Sequence, residues 1–550
     1  MKQPLKRILS LLLIIGILLI VGTIVISSLF SDEIENSVAN NIQENVTTTL
    51  NLSDISFSLF EKFPSASVKI KNILLLEQEG FDDDTLFFAK ESFVELSILD
   101  IVRRKFDIKS LIIGEGQLNI KYNKEGNTNY SVFKKQEGKT STFALEQLLV
   151  LDTKVSYKVA SNNTNIDWQL SQAFIKFNEK DINLNLKLFS NYLIVGTTDY
   201  LNKKKTTIKG KITTENNTFN ILNSKVLIED VLLNVDGSIT NGNSLALNLN
   251  AQQQDISSIL DNMPKKFQKS CSTFFADGTI DCNGSINGLI GKKVNPHFNM
   301  DCTISGGGFN LKEIPFILKN ISATANIDNG TENNFTSTKV SVKTFKAKTE
   351  NGWLNGAFTI KNLNKYHLDT KLKSSWDLAE INHYFEDSPF FNLQGKLMAN
   401  TNYSGYISFD KSFKDYFIAA KHSSDTKFEN VKFHYNNFPL IFNIEAATCN
   451  FRNNTINIVN SNMTIADSDI DFNGKIIDLI PHILDKKDAI ALNGELKSVY
   501  IKFDELLTLK DIGKGNNETT MPLWLKVNVT SDIETFTYND FIANSIGGKL

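Results

Sequence analysis

Residues 182–188 read INLNLKL, with Ile182, Leu184, Leu186 and Leu188 alternating against Asn183, Asn185 and Lys187. Successive side chains of an extended strand point to opposite faces, so this spelling makes one face apolar and the other wet. It recurs as LALNLN at 245–250 (Leu245, Leu247, Leu249) and YHLDTKL at 366–372 (Leu368, Thr370, Leu372). TINIV at 455–459 (Ile456, Ile458) and LWLKVNV at 523–529 (Leu523, Leu525, Val527, Val529) follow the same rule. Nearer the N-terminus, SASVKIKNI at 65–73 sets Val68 and Ile70 against Ser67, Lys69 and Lys71. Such strands belong to antiparallel sheets with one solvated face, not to the doubly covered parallel sheets of α/β enzymes. The expected fold is mainly β.

A longer period lies above this one. VLLNVDGSI, GWLNGAFTI and SDIDFNGKI carry Gly237, Gly356 and Gly474, spaced 119 and 118 residues apart. Each is followed by a second strand and a short helical signal: QDISSIL from Gln254, WDLAEIN from Trp376 and KFDELL from Lys502. Asp255, Asp377 and Asp504 there can cap the helix or sit in its first turn, where negative charge is favoured. A further glycine-bearing strand then opens the next copy, as in DGTIDCNGSI and FNLQGKL. Three copies at one spacing make an internal repeat of about 120 residues.

The N-terminal end is of a different kind. Residues 8–30, ILSLLLIIGILLIVGTIVISSLF, carry no charge. At about 1.5 Å per residue this run can cross the roughly 30 Å apolar core of a bilayer. Lys2, Lys6 and Arg7 precede it and Asp32, Glu33 and Glu35 follow, which places the N-terminus in the cytoplasm and the body across the membrane. The run is longer than the apolar core of a signal peptide and no A-x-A-like site follows, so an uncleaved single-pass anchor is expected. Ile34, Val38, Ile42 and Val46 then recur every fourth residue, as on a short amphipathic helix. Residues 81–84 read as a turn. Ile98, Leu99, Ile101 and Val102, ahead of the basic Arg103, Arg104 and Lys105, read as one or two helical turns. The next two strand-like runs are broken at Gly114 and Gly126. Three domains result: stub and anchor at 1–31, an N-terminal β domain at 32–225, and repeated β modules at 226–550.

Composition narrows the function classes. A net charge of −3 and the absence of a long basic run argue against nucleic acid as a partner. Lys203, Lys204 and Lys205 read as a solvated turn. The four cysteines, Cys271, Cys282, Cys302 and Cys449, form no CxxC pair, and spacing alone shows no disulfide. None of the six histidines stands at HxH or HxxxH spacing, so no metal or cofactor is expected. GSING at 284–288 puts Ser285 one place early for a nucleophile elbow, and GLIGKK at 288–293 lacks parts of a phosphate loop. The triple glycine 306–308 reads as a bulge or turn, and FDDD at 81–84 as a solvated turn. No catalytic residue is assigned and no enzyme activity is expected.

Helices are too few to cover the apolar faces. Either two sheets close on each other, or the sheet keeps an apolar trough for a ligand. Candidate lining residues of such a trough are Val68, Ile70, Leu184, Leu186, Leu245, Leu247, Leu249, Leu368, Leu372, Ile456, Ile458, Leu523, Leu525 and Val527. Each acyl methylene moved there from water would gain about 0.8 kcal/mol, though extraction from a bilayer gains little.

The N-terminal region also resembles the AsmA family of envelope proteins. The marks are Phe63-Pro64 before Val68, Ile70, Asn72 and Ile73, and a short helix before an I-x-S-L-I-I strand. A turn with Tyr122, Asn123, Gly126, Asn129 and Tyr130 completes them. The likeness covers roughly residues 1–240. It implies an inner-membrane anchor, a periplasmic body and an elongated, twisted β sheet with a hydrophobic groove, as in chorein-type bridge-like lipid transfer proteins. The implied role is outer-membrane assembly or lipid homeostasis, with phospholipid or another lipid conducted along the groove and outer-membrane components as further partners. The family supplies no catalytic residues. SIGGKL ends the chain within a strand pattern, where the family continues, so a fragment or short variant is expected. The alternatives are a structural or partner-binding β scaffold without lipid transport, and a tethered hydrolase, for which no convergent polar pocket is found.

Overall fold

The computed structural model describes residues 31–36, 40, 43, 46–58, 61–62, 65–78, 80–81, 84–103, 108–132, 145–161, 163–178, 180–291, 294–312, 316–382, 390–408, 413–435, 440–485, 489–506 and 525–549. The expected anchor, residues 8–30, lies outside them. Among the described residues no helix is long and apolar enough to cross a membrane. The protein is mainly β, with a few short helices and a repetitive run of strands.

The chain divides into two compact units, Met1–Asn250 with Ser258–Gln268 and Ile286–Pro296, and Ala251–Ser257 with Lys269–Ser285 and His297–Leu550. Residues 225 and 226, the expected domain boundary, both lie in one strand of the first unit.

In the first unit, helix α1 (31–36) precedes β1 (Leu50–Asn51), β2 (Asp54–Ser58), β3 (Ala66–Leu76) and β4 (Thr85–Leu96). Helix α2 (Ile98–Val102) leads into β5 (Ile108–Tyr122), β6 (Gln147–Val159), β7 (Thr164–Phe177), β8 (Ile182–Val195) and β9 (Thr198–Asp199). Then come β10 (Lys204–Glu215), β11 (Thr218–Ile228), β12 (Val231–Thr240) and β13 (Ser244–Asp255) as far as Asn250, with α3 (Ile256–Asn262) from Ser258 and α4 (Lys265–Cys271) up to Gln268. β1 and β2 both pair with β3, and from there each strand pairs with the next up to β8. β8 takes both β9 and β10, and the ladder continues through β11 and β12 to residues 244–250 of β13.

The second unit holds β14 (Phe274–Leu289) as far as Ser285, β15 (His297–Leu311), β16 (Ile317–Asp328), β17 (Lys339–Lys348), β18 (Trp353–Lys361), β19 (His367–Asp377) and α5 (Leu378–Asn382). It continues through β20 (Phe390–Tyr406), α6 (Phe413–Ala419), β21 (Lys421–Tyr435), β22 (Phe442–Arg452), β23 (Thr455–Ile465), β24 (Ser468–Ile477) and α7 (Leu479–Asp485). β25 (Ile490–Lys502), α8 (Phe503–Leu506), β26 (Leu525–Tyr538) and β27 (Phe541–Lys549) complete it. From β15 each strand pairs with its successor. A disulfide joins Cys282 of β14 to Cys302 of β15, a pairing that spacing could not show; Cys271 and Cys449 remain thiols.

Four local expectations are corrected. The pairing is not antiparallel throughout: β5–β6 and β25–β26 are parallel. Residues 123–146 and 503–524 intervene, and a parallel pair needs a crossover of about a dozen residues or more, unlike a hairpin. β5 is not broken at Gly114 but continues to Tyr122, with Glu115 alone taking a positive φ of 50°. Lys204 and Lys205 open β10, leaving Lys203 in the turn. Ile34 lies in α1, but Val46 has left the helix for a bridge; Val38 and Ile42 lie outside the described residues.

The long repeat has a structural basis. Gly237, Gly356 and Gly474 each face a residue at the edge of a register shift in the preceding strand: Ile221/Ser224 in β11, Val342/Phe345 in β17 and Ile458/Asn462 in β23. For Gly356 the facing residue is Phe345, on the other side of its shift. On the other side, the backbone of the following strand (β13, β19 and β25) comes so close to each glycine that it leaves no room for a side chain. A Cβ on Gly237 (φ +136°) would stand 2.1 Å from the Ala246 carbonyl oxygen and 2.8 Å from the Leu247 Cα. The helices α3, α5 and α8 follow one strand later in each copy. Asp377 caps α5, its carboxylate accepting the Ala379 amide at 2.8 Å, and Asp504 sits in the first turn of α8.

Gly237→Ala should therefore destabilise the protein by about 2 kcal/mol or more, read as a lowered denaturant midpoint. Gly548→Ala, where a Cβ would meet nothing within 4 Å, should stay within about 0.5 kcal/mol of wild type.

Candidate functional site: a one-sided apolar face

Cross-strand neighbours share a face, so the pairing registers define rows across each unit. In the second unit one row runs Gly356, Leu372, Thr401, Ser424, Phe451, Ile456, Ile476, Leu492, Val527. The row one residue over runs Asn355, Lys373, Asn400, Asp425, Asn450, Asn457, Lys475, Asn493, Asn528, every member polar. In the first unit an apolar row passes from Ile70 through Ser92, Ile113, Val150, Ala173, Leu186, Ile208 and Val226 to Leu233. Its polar neighbour includes Asn185, Lys209, Lys225, Asn234 and Asn250. The alternation read in single strands is thus held in register over many.

The candidate lining residues fall into three groups. Val68 and Ile70 are fully buried, in a core shared with Ile34 of α1 and Ile101 of α2, so the two helices close the face at β3 and β4. Leu184, Leu186, Leu245, Leu247, Leu249, Leu368, Leu372, Ile458, Leu525 and Val527 are half-buried, and Ile456 is buried in a cluster with Ala447 and Cys449. Leu523 lies outside the described residues. Gly237 pairs with Leu247 and Gly356 with Leu372, so the repeat glycines carry the face where the backbone leaves no room for a side chain.

Two features had no counterpart in the sequence reading. First, a polar patch interrupts the face of the second unit at β20 and β21. The Thr401 and Ser424 hydroxyls bond each other at 2.9 Å, and Tyr403 pairs with His422 in the next row. Helix α6 covers this patch: Phe417 stacks on His422 at 4.9 Å and on Tyr403 at 6.1 Å. Neither ring nitrogen of His422 has a hydrogen-bond partner among the described residues. Leu479 of α7 likewise packs against the cluster around Ile456. Second, Glu77, at the end of the apolar run 73–76, is buried beneath the Tyr122–Tyr130 turn. Its Oε1 accepts from Lys121 Nζ and Asn129 Nδ2, both at 2.8 Å. A carboxylate ending an apolar run is the one sequence signal that pointed there. The Tyr122 and Tyr130 hydroxyls bond at 2.7 Å, and burial followed by this bond raises the Tyr122 phenol.

Among the described residues no group of three metal-ligating side chains occurs. The thiol of Cys449 is pushed up to about 11 by burial, which leaves it protonated and unreactive at neutral pH. Comparisons with protein-family models, with curated proteins and with solved structures find no match for this chain.

Charge on the polar face acts on stability. Lys361 and then the Ser404 hydroxyl hold Asp369 below its ordinary value of 3.8, and the Gly330 amide followed by the Asn299 amide does so for Asp328. A carboxylate depressed in the folded state contributes fully above its unfolded value and loses that contribution as pH falls through the folded one. The unfolding midpoint should therefore fall below about pH 4. Asp369→Asn should make that acid limb shallower in a pH series of denaturation curves, by a small amount because the Lys361 pair is solvent-screened.

Proposed function

We propose that this chain is a membrane-anchored protein of the AsmA type whose body lies in the periplasm and whose apolar face carries lipid acyl chains, in the service of outer-membrane assembly or lipid homeostasis. The observation that carries the reading is the pair of adjacent rows in the second unit, one apolar and one wholly polar, with Leu372 and Val527 half-buried on the apolar one. An apolar face that the protein covers only in part calls for an apolar ligand. The apolar run 8–30, flanked by positive and then negative charge, supports the anchor and its orientation. The Cys282–Cys302 disulfide suits an oxidising compartment such as the periplasm. The lining begins beyond β4, because Val68 and Ile70 belong to a closed core.

Photo-crosslinking amino acids at Leu247, Leu372 and Ile458 should capture phospholipid in cells. Their counterparts on the polar face, at Asn248 and Lys373, should not. Absence of lipid at all three apolar positions in folded protein would favour the scaffold reading, with function on the polar face. Thiol trapping on rapid acid quench should find Cys282 and Cys302 oxidised in the cell; two free thiols there would remove the periplasmic assignment.

A further inference from the structure

We propose that the cavity where α6 meets the ends of β19, β20 and β21 seats the phosphate headgroup of a lipid, with Lys421 and Lys365 as its counter-charges, a step that rests on the reading of the apolar face as an acyl-chain site. A phosphodiester cannot follow its chains onto an apolar row, because burying a charge without a partner costs far more than each methylene gains. Its place is at the end of a row, where cations and water begin.

An apolar row of the second unit ends at this cavity. Leu368 stands four residues from Leu372 on the same face, about 13 Å along the strand. Ile360 pairs with Leu368 and Leu368 with Gly405. Gly405 in turn lies against Ala420: a Cβ on the glycine would stand 2.5 Å from the Ala420 Cβ. Large side chains thus give way to a glycine and an alanine. Both line a cavity of about 300 Å³, roughly ten times the volume one water takes in the liquid. Ser404, Tyr406, Lys421 and Tyr416 of α6 supply its polar lining.

The charges around the cavity favour an anion. Asp369, the carboxylate bonded to this lining, is already occupied. It accepts the Ser404 hydroxyl at 2.6 Å and pairs with Lys361 at 2.8 Å, with His367 Nδ1 3.8 Å away. Asp415 of α6 is exposed and does not line the cavity. Lys421 lines it and is exposed, and Lys365, also exposed, lies 4.1 Å from the centroid of the Tyr406 ring. Among the described residues neither ammonium pairs with a carboxylate. One exposed lysine would need no explanation. Two meeting about one tyrosine-walled cavity, at the end of an apolar row, make a phosphate seat.

The test uses the purified full chain in a nonionic amphipol and three soluble probes: dihexanoyl-phosphatidylglycerol, dihexanoylglycerol and inorganic phosphate. Calorimetric titration should find the phospholipid bound about tenfold more tightly than the diacylglycerol. Lys421→Gln and Lys365→Gln should each lower that ratio about threefold, and the double variant should bring it near one. Lys427→Gln, on β21 between Met398 and Thr448, should leave it unchanged. A wild-type ratio near one, or a ratio that survives the double variant, overturns the seat while the acyl-chain reading stands. Folded protein that binds neither lipid removes the acyl-chain reading. If it still binds inorganic phosphate, and loses it in Lys421→Gln, the anion seat stands with free phosphate as its source; if it binds no phosphate either, both fall.

Discussion

The organisation of this protein depends on register. Across the second unit the apolar row and the wholly polar row are one residue apart on every strand from β18 to β26. A slip of one residue in any ladder would move Leu372 or Val527 to the polar side and Lys373 or Asn528 to the apolar side. Hairpin pairing fixes most of these registers locally. At the three repeat glycines a bulge in the preceding strand removes residues from the count, and the glycine lets the backbone of the following strand approach. Asn223, at the bulge facing Gly237, takes a positive φ of 47°, and its amide donates to Asp236. The glycines thus let the sheet turn without losing its two-sidedness.

Much of this was legible in residue order. The alternation of INLNLKL and its relatives gives strand, face and polarity together, because only a period of two puts Leu184, Leu186 and Leu188 on one side. The repeat was legible because the close approach of the following strand leaves room only for glycine at Gly237, Gly356 and Gly474, and glycine is conspicuous in a strand. The parallel pairs β5–β6 and β25–β26 were not legible: parallel and antiparallel strands with one wet face share the same spelling, and the difference lies in the path of the chain between them. Nor was the disulfide, since Cys282 and Cys302 stand on two different strands, β14 and β15. The patch under α6 was hidden for a related reason. Thr401, Ser424, Tyr403 and His422 come from two strands and become neighbours only when β20 and β21 pair.

The apolar face is graded. At β3 and β4 it is an ordinary closed core, with α1 and α2 laid over it and Val68 and Ile70 sealed. In β8, β13 and β19 Leu184, Leu186, Leu245, Leu247, Leu249, Leu368 and Leu372 are half-buried. At β20 and β21 the rings of α6 cover a short polar patch. Each aromatic pair there contributes about 0.5–1.5 kcal/mol, and burying the nitrogens of His422 without partners costs a similar amount or more. The cover is therefore weakly held, in contrast to the core under α1 and α2.

Saturable binding of a fluorescent acyl probe to the purified protein tests the central claim, that the apolar rows form a face open to an apolar ligand. Wild-type protein should bind the probe and release it to phospholipid. Leu372→Lys should weaken binding strongly, while Lys373→Gln, one residue over on the polar row, should leave it unchanged. Folded wild-type protein that binds no probe, or a Lys373→Gln variant that loses binding as fully as Leu372→Lys, would contradict it.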